Sequence, residues 1–83
     1  MEITTEITRA FAADPEMIQI VKLTYRNGGV VNGTIRKLKI SPLKMVLQKT
    51  DPGSGERALH RAIFEHVSAL EVHYTDGSVL KFP

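Results

Sequence analysis

From Val21 to Ile40 the chain alternates apolar and polar residues, broken once by Asn27-Gly28-Gly29 and once by a slip in parity. Successive side chains of a strand point to opposite faces. Val21, Leu23 and Tyr25 therefore share one face, and Lys22, Thr24 and Arg26 the other. Asn27-Gly28 is the strongest short hairpin signal in the chain, because a tight turn between twisted strands needs residues at ease with positive φ. The returning strand begins at Val30 and puts Val31, Gly33 and Ile35 on one face. Arg36 and Lys37 are then both polar, and Leu38 and Ile40 resume on the opposite parity. A slip of one residue inside a strand predicts a β-bulge or a sharp bend. Gly33 stands just ahead of it, although glycine in a strand costs about 0.5–1 kcal/mol relative to alanine. That cost is expected where a strand curls so tightly that a neighbour crowds its backbone. Asn27, Gly28 and Gly33 are thus the fold-defining positions of a bent hairpin.

The remaining segments are read around it. Ile3, Ile7 and Phe11 recur at helical spacing, with Thr4 or Thr5 as N-cap and Asp14-Pro15 as the stop, which predicts a helix over 4–13. Strands are expected over about 17–26, 30–40, 44–50, 69–75 and 78–82, the last pair joined at Asp76-Gly77. "DPGSGE", residues 51–56, is glycine-rich but lacks the lysine of a phosphate loop, and reads as a connector. Residues 57–69 are ambiguous. Ala58/Leu59, Ala62/Ile63, His66/Val67 and Leu70 fit helical spacing and their alternation as a strand is poor, so periodicity alone favours a helix; a strand over 57–64 is what the family resemblance given below implies. One mainly β domain with an N-terminal helix accounts for all 83 residues; the alternative is an α+β fold with 57–69 helical on an antiparallel sheet.

Composition removes several function classes. The chain has no cysteine, so neither a disulfide nor a thiolate metal site is available, and its three histidines match no zinc spacing. No metal or other cofactor is expected. Glu65-His66 and His73 are the only acid–base candidates; no nucleophile or second carboxylate stands at a telling spacing, so no enzyme is expected. The first ten residues hold two glutamates and no basic apolar leader, and no apolar run approaches the roughly 20 residues a bilayer span requires. A cytoplasmic location and no membrane partner are expected. The net charge of +2 conceals an asymmetry: residues 17–50 carry seven basic groups and no acid. Such a segment is a footprint for a polyanion, or else a lysine-rich strand edge that discourages aggregation.

The spacing Asn27-Gly28, four residues, Gly33, one residue, Ile35 resembles the first motif of the Sm-like (Lsm/Hfq) small β-barrels, which share an SH3-like outline. The resemblance extends over about residues 5–74, with Met45-Val46-Leu47 where that family has its third-strand aliphatic triplet. It implies an N-terminal helix on a strongly bent, closed barrel, with a short fourth strand, a tight turn and a fifth strand. It also implies RNA binding, and rings closed by pairing strand four of one subunit with strand five of the next. On that template Leu59, Ile63, Val72 and Tyr74 are expected near the contact of a cyclic homo-oligomer. The family's base-reading residues do not carry over. Lys44 takes the place of an Asn before the triplet, and Ile63-Phe64 or Phe64-Glu65 the place of Arg-Gly or Lys-His. What survives is phosphate attraction from Arg36, Lys37, Lys39 and Lys44, which is blind to sequence. Tyr25, Phe64 and Tyr74 could stack bases, but as strand residues of a small barrel they are expected in the core or at an interface. Two functions are therefore expected in competition. One is a ring-forming module that binds single-stranded RNA weakly. The other is a protein-interaction module resembling the Rof-type Rho inhibitors, which share the length, the N-terminal helix and the degenerate second motif. Their acidic N-terminal segment is echoed only by Glu2, Glu6 and Asp14. The size suits a phage-encoded protein as well as a cellular one.

Overall fold

The computed structural model describes residues 1–50 and 58–83, so the 51–56 connector lies outside the described residues. The chain forms helix α1 (Thr5–Ala13), a 3-10 turn (Pro15–Met17), then strands β1 (Ile18–Tyr25), β2 (Val30–Lys39), β3 (Lys44–Lys49) and β4 (Leu59–Arg61). A second 3-10 turn (Phe64–His66) leads into β5 (Val67–Tyr74) and β6 (Val79–Phe82). The strands form one antiparallel sheet in the order β4-β3-β2-β1-β5-β6.

Local chemistry accounts for each boundary. Thr4 caps α1, its hydroxyl accepting from the Ile7 amide at 3.2 Å, and the chain leaves the helix before Pro15. In the β1–β2 turn Gly28 adopts φ +91°, and the Asn27 side-chain oxygen accepts from the Gly29 amide at 2.9 Å. The β5–β6 turn is held by Asp76, whose carboxylate accepts from both the amide and the hydroxyl of Ser78. Those bonds hold the Asp76 carboxyl below its ordinary range.

The parity slip is a bulge. Ile35 pairs with Leu47 and Lys37 with Val46, leaving Arg36 as the extra residue. Ahead of it, Gly33 lies under β3. A Cβ added there would stand 2.7 Å from the Gln48 carbonyl oxygen and 2.9 Å from the Leu47 Cβ. The inner face of the sheet buries Val21, Leu23, Met45, Leu47, Val67, Leu70 and Val72, with Ile7 and Phe11 of the helix packed onto it.

Two expectations are corrected. First, the sheet does not close into a barrel: among the described residues β4 and β6 are its two open edges. β4 pairs with β3 over only three residues, and the outer edge of β5 is taken by β6 from Leu70 to His73. β6 thus occupies the Leu70–His73 part of that edge, and among the described residues β4 pairs with no part of β5. Curvature still brings β4 near β1: Tyr25 of β1 reaches His60 of β4 past the two strands between them. The Arg26 amide, just beyond β1, extends the β1–β5 pairing by donating to the His66 carbonyl at 2.9 Å. Second, the helical reading of 57–69 does not hold over the described part of that segment. Burial alternates strictly from Ala58 to Phe64, as in a strand, and the chain then makes a single 3-10 turn. Leu59 and Ile63, which created the helical spacing, are exposed at 58% and 44%. β4 is accordingly shorter than expected and β5 begins earlier, at Val67.

Candidate nucleic-acid interface

The bulge at Arg36 decides which cations meet. Residues paired across neighbouring strands share a face. Downstream of the bulge, Lys37 pairs with Val46 and Lys39 with Lys44; Val46 in turn pairs with Arg61 of β4. Met45 and Leu47 point to the core, so Lys44, Val46, Lys37, Lys39 and Arg61 lie on the outer face. Without the extra residue, Leu38 would face outward and the two lysines would point into the core.

These four cations border a groove of about 610 Å³ whose apolar wall includes Ile3, Leu38, Val46 and Ile63. Among the described residues Glu65 is the one carboxylate along it. Among the described residues none of the four makes a salt bridge; there Lys22 pairs with Glu71, to which His73 is also hydrogen-bonded, at the other end of the sheet. The groove therefore offers positive charge at solvent-facing positions beside an apolar strip. It can hold a flexible anion that presents several charges along its length.

Of the sequence-expected cations, Lys37, Lys39 and Lys44 line the groove, while Arg36 is exposed in the bulge outside it. Arg61 joins them, and β-pairing alone puts it there: in sequence it lies beyond the 51–57 segment, outside the acid-free stretch. Its signal was the alternation Leu59, Arg61, Ile63, which marks one face of a strand. Of the residues expected at a subunit contact, Leu59 and Ile63 are exposed beside the β4 edge. Val72 is fully buried, paired between Val21 and Leu80. Tyr74 is half-buried and donates to the Ala10 carbonyl; burial first, then the Asp14 and Asp76 carboxylates, push its hydroxyl up from the ordinary tyrosine value. Tyr25 turns inward to His60, and Phe64 is buried, so neither presents a face to a base.

His73 bonds to Glu71, and Glu65 and His66 are exposed on the second 3-10 turn. Among the described residues no three His, Asp or Glu side chains gather as a metal site would require, and no helix is long and apolar enough to cross a membrane. Comparison with family models, curated proteins and solved structures finds no match for this chain.

Proposed function

We propose that this chain is a non-enzymatic module of Sm-like outline that binds single-stranded RNA through the cation-bordered groove. The observation that carries the reading is the set of four cations, Lys37, Lys39, Lys44 and Arg61, on one groove, none of them in a salt bridge among the described residues. The outline is supported by the N-terminal helix, the bulged β2 with its crowded Gly33, and the run of short β4, 3-10 turn and β5. Contact is chiefly to phosphate, so sequence preference is slight. Affinity falls with salt, because each contacted phosphate releases counterions, at about −0.7 in log–log slope per contact on single strands. Engagement of all four cations gives a slope of about −2.8. Lys39→Glu/Lys44→Glu is expected to weaken binding to homopolymer RNA and to make the slope shallower by about 1.4. Titrations at two salt concentrations check this. Equal binding by variant and parent, or no binding by the parent at low salt, rejects the reading. A cyclic homo-oligomer would repeat the groove around one face and multiply a weak contact through avidity.

One observation favours the second reading, a protein-interaction module that acts without forming a ring. β6 lies along β5 from Leu70 to His73 and covers the strand edge through which Sm-like rings close. Light scattering separates the two. A stable ring at tens of micromolar supports the first reading, and a monomer that also fails to bind RNA supports the second.

A further inference from the structure

β4 and β1 are not neighbours in the sheet, since β2 and β3 lie between them, yet Tyr25 and His60 meet inside its curve. Tyr25 Oη and His60 Nε2 are hydrogen-bonded, the rings stand edge to face at 5.4 Å, and the Ile63 amide donates to the same hydroxyl oxygen at 3.3 Å. We infer that this pair is a pH-sensitive clasp that holds β4 against the rest of the sheet and, with it, Arg61 and the Ile63 wall of the groove.

The donor chain requires a neutral imidazole. With the neutral ring in the tautomer that carries its proton on Nδ1, the Ile63 N–H donates to Oη and the Oη hydrogen is donated to Nε2. Once Nε2 carries a proton, two donors face one oxygen and the hydroxyl hydrogen loses its acceptor. Among the described residues, the other groups facing His60 are the Tyr25 hydroxyl from β1 and the Lys49 ammonium from β3, and neither supplies the negative charge that would stabilise an imidazolium. Burial first, and then Lys49, lower the His60 pKa from its ordinary 6.5. The undocked strand therefore takes up the proton more readily. Docking of β4 is at full strength above that ordinary value and weakens as pH falls from it through the lower docked-state value. β4 depends on the clasp because it has only three ladder pairs and an open outer edge.

The consequence for binding rests on the RNA reading above. Added positive charge alone would tighten a polyanion as pH falls; release of β4 removes Arg61 from the groove and predicts the opposite.

The test is amide hydrogen exchange by NMR on the full chain at about pH 7.5 and about pH 5, which bracket histidine titration, with homopolymer RNA titrated at both. Protection at Ala62, whose amide donates to the Met45 carbonyl, and at Ile63 should fall about 3- to 10-fold at the lower pH, while Leu23 in the core stays protected. Tyr25→Phe keeps the ring and removes the hydroxyl. It should show low Ala62 and Ile63 protection at both pH values, with no further fall. Unchanged protection in the parent, or the full fall retained in Tyr25→Phe, overturns the clasp. A fall in protection with no RNA bound at either pH upholds the clasp and rejects the RNA reading alone.

Discussion

Gly33→Val is expected to destabilise the domain by about 1–3 kcal/mol, the usual range for overpacking in a tight core. For a domain of this length each kcal/mol lowers the melting temperature by about 4–8 °C. The reason is backbone, not side-chain bulk. The added Cβ would sit 2.7 Å from the Gln48 carbonyl oxygen and 2.9 Å from the Leu47 Cβ, and neither atom can rotate away. The whole β2–β3 ladder must shift beside a bulge that already bends it. Gly33→Ala is the sharper comparison. In an ordinary strand interior, alanine for glycine stabilises by about 0.5–1 kcal/mol. Here the first carbon already collides, so alanine is expected to destabilise as well. A thermal melt showing that Gly33→Ala raises stability would overturn the close-approach account of the bend.

Phe11→Ala should cost more, about 3–5 kcal/mol, the range for deleting a fully buried aromatic side chain. Phe11 is completely buried and, with Ile7, forms the apolar side by which α1 joins the sheet core. Isolated helices of nine residues are not stable in water, so α1 exists only while that face is covered. A domain of this size has a net stability of roughly 4–12 kcal/mol, and the substitution consumes much of it. Chemical denaturation should show the midpoint falling sharply. Arg9→Ala, on the exposed face of the same helix, should stay within about 0.5 kcal/mol of the parent. A small effect at Phe11 would mean that the sheet holds its core without the helix.

Much of the fold was legible from local pattern. Alternation located β1 and β2, Asn27-Gly28 placed the turn, and the two adjacent polar residues Arg36 and Lys37 marked the bulge. Thr4 and Pro15 bracketed the helix. Each of these is a property of a few consecutive residues, and backbone sterics or a side-chain cap settles it before the chain folds up. The cationic groove was half legible for the same reason: Lys37, Lys39 and Lys44 belong to one hairpin, so their shared face follows from the register of neighbouring strands.

What tertiary structure decided lies between segments far apart in the chain. Leu59 and Ile63 mimic a helical stripe because apolar residues on an exposed edge carry the wrong period; only the pairing of β4 with β3 shows that the inward residues are the half-buried His60 and Ala62 and the buried Phe64. The same pairing carries Arg61 into the groove. Closure of the sheet is a competition for one edge. β6 takes the outer side of β5 from Leu70 to His73 and, among the described residues, β4 pairs only with β3, so the sheet stays open and its curvature is fastened by Tyr25 and His60 rather than by a ladder of backbone bonds. Local propensity specifies a strand but not its neighbour, since every unpaired edge offers the same row of backbone donors and acceptors, and which strand fills it depends on the path of the whole chain.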